Sequence, residues 1–400
     1  MSKRIDFYIT NPNHHWENFK PVMQKMQEIG YHVHLVSLCE FRRMSTPVQE
    51  LEALKIPFVI LFSLKFKKTN TSTGKKHIGG NKAFVRNLLR NLIWWLKLRK
   101  SLMQQNKELP SAAIIPNDIA YPMSKIVKWL QSKKVKTILY QEGIRFPLPN
   151  EEGGPKYGTN GTNLIYTWGK KSSEYFQSIG IDPHKIKVIG NPRFDKMLSE
   201  NYETEIKLIK ENHRFKQTNI LYASNPVDDQ GFCTYEQKLE LFRGFLIQLA
   251  SLDANIKVWL RLHPREDKVD FENIINEFKS KIEVEFLQQY SLFACLKLMD
   301  ACVVLASTVG LEALLNHVPL AVIRMPNNYD YIFDYVESGA AIPLDINDTK
   351  SFQENFKELL KQKSEGLSTI QFNYIENQIA NQGRSDEFFE EQLIKDLVSI

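Results

Sequence analysis

The sequence predicts two α/β domains, each built as a Rossmann-like parallel sheet covered by helices. Three observations lead to this prediction. The chain has 400 residues, whereas a single hydrophobic core rarely grows past roughly 250–300 residues. Short apolar runs alternate with amphipathic stretches, which is the pattern of parallel strands joined by crossover helices. The alternation occurs twice, and a polar stretch separates its two occurrences.

The first alternation predicts an N-terminal domain over residues 1–200. It begins with a strand at 6–11, followed by a polar loop that contains His14 and His15. A helical pattern comes next and ends at Gly30, a typical residue after a helix. The other strands predicted in this domain are 33–37, 57–61, 112–116, 137–141, 164–167 and 187–190.

The second alternation predicts a C-terminal domain over residues 217–375. Residues 201–216 are polar and helical and are interpreted as the linker between the domains. Just before them, the sequence Gly-Asn-Pro-Arg-Phe-Asp at 190–195 predicts a tight turn with a structural role. Residues 376–400 are predicted to form a helix that packs back on the N-terminal domain. The strands predicted in the second domain are 219–223, 257–262, 283–286, 302–306 and 320–323.

The overall composition is that of a globular protein, with 43% hydrophobic and 24% charged residues. Its four cysteines form no CxxC pair and lie in or beside apolar runs, which indicates reduced thiols rather than disulfides or zinc ligands. The N-terminus lacks the features of a signal peptide. No uncharged apolar run approaches the ~20 residues that span a bilayer. We therefore expect a cytoplasmic protein.

The formal net charge of +6 is concentrated in one segment. Residues 65–100 contain eleven Lys or Arg and no Asp or Glu. Apolar residues at helical spacing, with Trp94 and Trp95 beside cations, are typical of a helix in a membrane interface. This segment is predicted to contact an anionic surface, either the inner face of the cytoplasmic membrane or an anionic glycan. The alternative is a packed helix with a solvated basic face. No nucleic-acid-binding motif accompanies the charge.

Residues 261–265 follow a predicted strand of the second domain. Open parallel sheets bind ligands outside the carboxyl ends of their strands. Arginine offers forked donors to a phosphate, and histidine offers a donor that can also act as an acid. A basic surface turn is the alternative interpretation. The candidate donor-binding residues here are Arg261, His263, Pro264 and Arg265.

Residues 306–313 follow another predicted strand and open a helix. Hydroxyl groups and free backbone N–H groups at such a position can bind an anion, and Glu312 could accept hydrogen bonds from ribose hydroxyls. A plain helix cap is the alternative. Ser224 and Asn225 end the first strand of this domain and form a third wall of the same crevice or a simple turn. The candidates in 306–313 are Ser307, Thr308, Gly310 and Glu312.

On the N-terminal side, Glu142 follows the predicted strand 137–141. A carboxylate at this position can deprotonate an acceptor hydroxyl, and we expect desolvation in a cleft to raise its pKa toward a useful range. A helix cap or a loop acid is the alternative. Gln141, Gly143, His14 and His15 are predicted to contact the acceptor, and one of the two histidines could instead act as a base.

Taken together, these motifs resemble GT-B glycosyltransferases. The segments Gln141-Glu142-Gly143, His263-Pro264 and Ser307-Thr308 follow the order and spacing of three motifs in bacterial sialyltransferases and polysialyltransferases. Kdo transferases of capsule assembly share much of this pattern. Residues 168–195 also resemble CDP-glycerol glycerophosphotransferases, and residues 300–313 are similar to UDP-N-acetylglucosamine 2-epimerases.

The resemblance implies a metal-independent, inverting glycosyltransferase of bacterial surface-polysaccharide assembly. Its donor would be a CMP-activated acidic sugar, such as sialic acid or Kdo, and its acceptor a surface glycan or a lipid-linked glycan. By this likeness Glu142 is the general base, His263 contacts the donor phosphate, and Ser307 and Thr308 bind phosphate. Gln141 stands where the motif has its first acidic residue.

No DxD motif is present to hold a divalent ion, so no metal or other cofactor is expected. Three alternatives remain open. A CDP-glycerol-type phosphotransferase would attack phosphorus and depend more on His263 than on Glu142. A UDP-N-acetylglucosamine 2-epimerase would need no acceptor. A glycan- or membrane-binding scaffold with this fold would catalyse nothing.

Overall fold

The computed structural model describes residues 4–42, 44–61, 96, 100, 109–145, 156–252, 255–264, 266–326 and 334–398. The predictions about the basic segment 65–100 concern residues that, except for Leu96 and Lys100, lie outside the described residues. Arg265 lies outside them too. No helix within the described ranges is both long and apolar enough to cross a membrane.

Seven parallel strands form the N-terminal sheet. They are β1 (Arg4–Ile9), β2 (His32–Ser37), β3 (Phe58–Ile60), β4 (Ala112–Ile115), β5 (Lys136–Tyr140), β6 (Leu164–Thr167) and β7 (Ile186–Val188). Their order is β3-β2-β1-β4-β5-β6-β7, so the chain winds outward in both directions from β1. The central strands are almost continuously buried because helices cover both faces, as in other parallel sheets.

The helices described in this half lie between successive strands or, for the last of them, after β7. They are α1 (His15–Glu28), α2 (Val48–Ala53), α3 (Met123–Ser132), α4 (Lys170–Ser178) and α5 (Pro192–Ser199), together with 3-10 turns at Cys39–Arg42 and Pro183–Lys185. The helix α6 (Glu203–Asn212) then leads into the C-terminal half.

Six parallel strands form the C-terminal sheet. They are β8 (Thr218–Ala223), β9 (Ile256–Arg261), β10 (Glu283–Phe286), β11 (Ala301–Val304), β12 (Leu320–Ile323) and β13 (Ile342–Leu344). The order is β10-β9-β8-β11-β12-β13. Because β9, β8 and β11 are neighbours, the loops that follow these three strands meet at one edge of the sheet.

Seven further helices occur among the described residues of the C-terminal part of the chain. They are α7 (Tyr235–Ala250), α8 (Lys268–Phe278), α9 (Leu292–Leu296), α10 (Val309–Leu315), α11 (Thr349–Glu365), α12 (Thr369–Gln378) and α13 (Ser385–Val398). The start of α7 is fixed by a capping box, in which Thr234 and Gln237 satisfy each other's backbone N–H groups.

The last helix, α13, packs on the N-terminal sheet. The ring of Phe389 stacks on Tyr140 at 5.2 Å between centroids. The backbone N–H groups of Gly383 and Ser385 donate to the carboxylate of Asp195 at 2.6 and 2.5 Å. The chain therefore crosses from the second half back to the first. One buried apolar cluster also includes residues from both halves.

Every strand that the sequence predicts is present, with ends shifted by no more than two residues. The sheets confirm the predicted fold class of two parallel-sheet α/β domains. Strand β13 was not predicted from the sequence. The predicted tight turn at 190–195 is wrong, because the side chain of Asn191 accepts from the N–H groups of Arg193 and Phe194 and begins helix α5. An Asn followed by Pro is a helix-start pattern, since Pro fits the first helical position.

Candidate functional site

Glu142 lies just after β5, at the carboxyl edge of the N-terminal sheet. Its carboxylate accepts a hydrogen bond from His15 Nε2 at 3.1 Å and one from Asn117 Nδ2 at 3.2 Å. The guanidinium of Arg42 lies 3.7 Å from the same carboxylate. These residues follow β1, β4 and β2, so the sheet itself brings them together. About a quarter of the Glu142 side chain (24%) remains exposed.

The hydrogen bonds of His15 fix its tautomer. The backbone N–H of Thr10 donates to Nδ1 at 3.1 Å, so the proton of the neutral ring lies on Nε2. Nε2 therefore donates to Glu142. Both ring nitrogens are occupied, and His15 has no lone pair left with which to act as a base. It acts here by orienting and stabilising the carboxylate.

The pKa of Glu142 differs from the sequence expectation. Desolvation alone would raise it, but the hydrogen bond from His15 and the positive charge of Arg42 outweigh desolvation and hold the pKa of this carboxyl well below its usual range. The expectation of a raised pKa is wrong because the sequence did not show which cations would surround the group. Glu142 is therefore ionised at neutral pH.

His14 lies beside the backbone of Glu142. Its Nε2 donates to the carbonyl oxygen of Glu142, and its ring is 6.4 Å from that of Trp168. Burial lowers the pKa of His14 to about 3, with a further contribution from the positive charge of Arg193. The ring is therefore neutral at neutral pH, and Nδ1 is its remaining acceptor.

Gln141 does not form part of an acceptor surface. Gln141 is fully buried. Its side-chain amide donates to Ser172 Oγ and to the carbonyl of Gly143, and its side-chain oxygen accepts from the N–H of Trp168. The predicted acceptor contact by Gln141 is wrong, since its polar atoms connect β5 to β6 and α4. The Gly143 carbonyl is used in the same network.

Three residues of this site were missed by sequence reasoning, namely Asn117, Arg42 and Tyr157. The hydroxyl of Tyr157 accepts from the N–H of Glu142 at 3.1 Å and can donate to the carbonyl of Pro116 at 2.9 Å. Asn117 follows β4, so the rule that strand ends carry site residues could have identified it. No local sequence pattern identifies Arg42 or Tyr157 as a site residue.

On the C-terminal side, His263 follows β9. Its backbone N–H donates to Glu266 Oε2 at 2.8 Å, while the hydroxyl of Ser224 donates to Glu266 Oε1 at 2.9 Å. Pro264 is exposed next to them. The structure thus joins the loops after β8 and β9 through the carboxylate of Glu266, a residue that was not among the sequence candidates.

Arg261 is part of the scaffold of this region. Its Nη1 donates to the backbone carbonyls of Leu287 and Tyr290 at 3.0 and 2.8 Å. Arg261 was predicted to bind a donor phosphate. Its guanidinium is instead turned toward the loop after β10, because these carbonyl groups need a donor once they are buried.

The loop after β11 carries Ser307 and Thr308, which are both half-buried. The N–H of Val309 donates to Ser307 Oγ, and the N–H of Gly310 donates to the carbonyl of Ser307. The prediction of free N–H groups at this turn is therefore wrong for these two residues, since both are paired locally. The two hydroxyl groups remain the candidate ligand contacts here.

Two other predicted residues of this side have packing or bridging roles. A Cβ atom at Gly310 would lie 3.0 Å from Leu320 and from the ring of Tyr335, so the glycine allows α10 to approach the sheet. Asn225 bridges β8 and β11, since its side-chain amide donates to the carbonyl of Ala306. Asn225 is 6% exposed.

Glu312 connects the two halves of the chain. Its Oε1 accepts from both Nη1 and Nη2 of Arg193 at 3.1 Å. Arg193 belongs to α5 and Glu312 to α10, so the carboxyl edges of the two sheets meet here. The predicted role of Glu312 toward ribose hydroxyls is replaced in this structure by an ion pair with a residue that was assigned no function.

Among the described residues, no three His, Cys, Asp or Glu side chains are grouped so that they could hold a metal ion.

Comparisons with known proteins identify the fold. No protein-family model matches the chain, and no curated protein matches it significantly. Solved structures do match. UDP-GlcNAc 2-epimerase from Methanocaldococcus jannaschii, in complex with UDP-GlcNAc and UDP, is 15% identical with a TM-score of 0.63, covering 99% of this chain and 100% of its own.

Two other solved structures have a similar degree of likeness. Anabaena Alr3699/HepE, in complex with UDP and glucose, is 12% identical with a TM-score of 0.57, covering 99% of this chain and 100% of its own. A glycosyltransferase from Rickettsia africae is 11% identical with a TM-score of 0.57 and 99% coverage of both chains. The chain therefore has the two-domain GT-B-like fold.

Proposed function

We propose that this protein is a glycosyltransferase that uses a nucleotide-activated sugar as donor. The observation that carries the proposal is the ionised carboxylate of Glu142, which His15 and Asn117 orient at the carboxyl edge of the N-terminal sheet. The carboxyl edge of the second sheet meets this edge at the Arg193–Glu312 ion pair. Two of the solved structures with this fold are complexes, one with UDP-GlcNAc and UDP and the other with UDP and glucose.

In the proposed reaction, an acceptor hydroxyl attacks the anomeric carbon of the donor and inverts its configuration. The hydroxyl proton passes to Glu142, and the bond to the nucleotide phosphate breaks. His263 and the hydroxyl groups of Ser307 and Thr308 stabilise the charge that develops on the leaving phosphate. No metal ion is required in this scheme.

A low pKa makes Glu142 a weak base until substrates bind. Arg42 lies 3.7 Å away and its side chain is 40% exposed, so it can turn toward an anionic substrate. Pairing of Arg42 with a substrate carboxylate would weaken the effect of Arg42 on the pKa of Glu142. Exclusion of water would then raise the pKa of Glu142 further. An acidic sugar as substrate fits this arrangement, and we propose a CMP-activated sialic acid or Kdo as the donor.

The acceptor in this proposal is a surface glycan or a lipid-linked glycan. Contact with the cytoplasmic face of a membrane would come from the basic segment 65–100, which contains eleven cations and no acid. Vesicle sedimentation tests this part. Anionic vesicles should bind the protein more strongly than neutral vesicles, and the difference should shrink at high salt.

The nucleotide is tested with a thermal-shift panel of CMP, CDP, UDP and GDP. A ligand that binds only the folded state raises its melting temperature with concentration. Stabilisation by the cytidine nucleotides is expected. If UDP stabilises the protein and the cytidine nucleotides do not, the CMP-sugar donor is wrong. A sugar nucleotide that contains the stabilising nucleotide is then incubated with the protein in the presence of EDTA. Release of the free nucleotide would show that the sugar is transferred to water, without a known acceptor and without a metal ion.

A second candidate is a UDP-N-acetylglucosamine 2-epimerase, because solved epimerases share this fold over the full chain. Incubation with UDP-N-acetylglucosamine alone separates the two functions, since an epimerase converts it without an acceptor. Formation of a phosphodiester product from CDP-glycerol would instead identify a phosphotransferase. Binding of a glycan or membrane without any conversion would identify a scaffold.

A further inference from the structure

Glu266 links two strand ends of the C-terminal sheet. One carboxylate oxygen accepts the backbone N–H of His263 at 2.8 Å, and the other accepts the hydroxyl of Ser224 at 2.9 Å. His263 follows β9 and Ser224 follows β8. The side chain of Glu266 is 2% exposed, so these contacts are not shared with bulk water.

The charge of Glu266 is compensated by Lys238, which reaches it from helix α7. The ammonium group lies 3.0 Å from Glu266 and 2.8 Å from Asp228, and the Lys238 side chain is 2% exposed. A buried charge is costly unless it is paired and hydrogen-bonded. Glu266 meets this condition, and its two oxygens together accept three hydrogen bonds or ion-pair contacts.

The same arrangement extends to the third strand end. Next to Ser224, Asn225 donates its side-chain amide to the carbonyl of Ala306, the residue before Ser307. His263, Ser224-Asn225 and Ser307 are thus joined through Glu266 and Asn225. This cluster contains each of the loops that the proposed function assigns to the donor phosphate.

We propose that Glu266 is a positioning residue for donor binding, acting through the backbone of His263 and through Ser224, with Lys238 paired to its carboxylate. This inference rests on the proposed function for its ligand, but the coupling of the loops can be tested without one. Glu266 itself does not touch the donor in this proposal. Glu266 fixes the distance between the loops that contact the donor.

The chemistry of the three contacts explains why a carboxylate is needed. His263 N–H, the Ser224 hydroxyl and the Lys238 ammonium are all used as donors toward Glu266. A glutamine has one acceptor oxygen and an amide that donates. In Glu266→Gln, either the His263 N–H or the Lys238 ammonium would therefore face a donor. Glu266→Asp keeps two acceptor oxygens on a side chain shorter by one methylene.

The control residue is Glu285, whose carboxylate pairs with the other buried lysine of the same domain. Lys257 is 1% exposed and pairs with Glu285 at 2.6 Å and with Glu283 at 2.7 Å. These contacts lie between β9 and β10, and none of them involves a predicted donor loop. Glu285→Gln therefore reports the general effect of removing a carboxylate from a buried lysine.

Hydrogen–deuterium exchange on the folded proteins tests the coupling directly. In Glu266→Gln, exchange should speed up by about tenfold or more in the peptides that contain His263 and Ser307, because each tenfold change corresponds to about 1.4 kcal/mol of local stability. Glu266→Asp should be intermediate, and Glu285→Gln should leave both peptides unchanged. Equal exchange in wild type and Glu266→Gln would overturn the proposal.

Nucleotide affinity provides the functional test, with the nucleotide that stabilises the wild-type protein most as the probe. Glu266→Gln should bind it about tenfold more weakly or worse, and Glu285→Gln should bind it as the wild type does. Equal affinity in Glu266→Gln would overturn the positioning role. If no nucleotide binds the wild-type protein, the proposed function is wrong, and the exchange experiment still decides whether Glu266 couples the loops.

Discussion

The guanidinium of Arg193 donates two hydrogen bonds to a single carboxylate oxygen of Glu312, at 3.1 Å each. The side chains are 16% and 5% exposed, and they belong to helices on opposite halves of the chain. The other oxygen of Glu312 is buried and has no hydrogen-bond partner among the described residues. This ion pair therefore connects the two sheets at the edges where the site residues lie.

Replacing Arg193 with Met should destabilise the folded protein by about 3–5 kcal/mol, because the charge of Glu312 would stay buried without a partner. Urea unfolding measures this change. In the double variant Arg193→Met with Glu312→Gln, no charge is left uncompensated, and much of the loss should be recovered.

Lys171 and Asp334 provide the matched control for this prediction. They also join the two halves, at 3.0 Å, but the side chains are 45% and 29% exposed. Lys171→Met should cost no more than about 1 kcal/mol, as expected for a surface ion pair. A cost as large as that of Arg193→Met would show that burial is not what makes the Arg193–Glu312 pair important.

Replacing Glu142 with Gln should lower the transfer rate by about 10²–10⁴-fold, the usual contribution of a general base. The isosteric amide keeps the size of the side chain but cannot take the acceptor proton. The rate of nucleotide release or of product formation is the measurement. Glu50→Gln is the control, because Glu50 is also a carboxylate of the N-terminal half that accepts from Trp16 and Lys20. Full activity in Glu142→Gln would contradict the assigned role.

The low pKa of Glu142 also predicts how stability depends on pH. Its pKa is depressed in the folded state, so its contacts stabilise the protein fully above the ordinary glutamate pKa of about 4.3. As the pH falls below that value, the unfolded chain binds the proton first, and the contribution is lost. The stability difference between wild type and Glu142→Gln should therefore be constant at neutral pH and shrink below about pH 4.3. A difference that does not change with pH would contradict this.

His14 should not titrate in the neutral range. Burial lowers its pKa to about 3, so its ring resonances in a proton NMR spectrum should stay constant from about pH 5 to 8, where an unperturbed histidine titrates. The resonance is assigned by its disappearance in His14→Gln. A titration midpoint near the ordinary value of about 6.5 would contradict this, because it would show that the His14 ring is solvated and becomes positively charged below that pH.

Gly190 is a further point where stability depends on the contact between the last helix and the N-terminal sheet. Its φ is +96°, and a Cβ atom there would collide with Ser385 and lie 2.5 Å from the carbonyl oxygen of Ala380. Gly180 has a φ of +90°, but nothing lies within 4 Å of its Cβ position. Both Ala variants carry backbone strain, and only Gly190→Ala adds the collision.

Gly190→Ala should therefore be less stable than Gly180→Ala by about 1–3 kcal/mol, the usual cost of overpacking. Urea unfolding of both variants gives the difference. Equal stabilities would mean that the C-terminal helix can shift away from Gly190 at no cost.

The amino-acid sequence by itself determined the alternation of strands and helices. The apolar runs at 219–223, 257–262 and 302–306, among others, are long enough and regular enough to identify buried parallel strands. Ligands bind at the carboxyl ends of such strands, and Glu142, His263 and Ser307 were candidates because they follow predicted strands. Both conclusions depend on local patterns, which can be recognised in the sequence without knowing the tertiary contacts.

Only the tertiary structure decided what surrounds each candidate. Glu142 has a low pKa because His15 and Arg42, which are far away in sequence, lie against it. Gln141 is equally close to the site in sequence but is buried and fully hydrogen-bonded. Glu266 and Arg193 have no local signature, since their importance comes from partners in other strands and in the other half of the chain. Electrostatics and burial are long-range properties of the fold, and for this reason the sequence predicted which residues follow the strands better than it predicted what surrounds each of them.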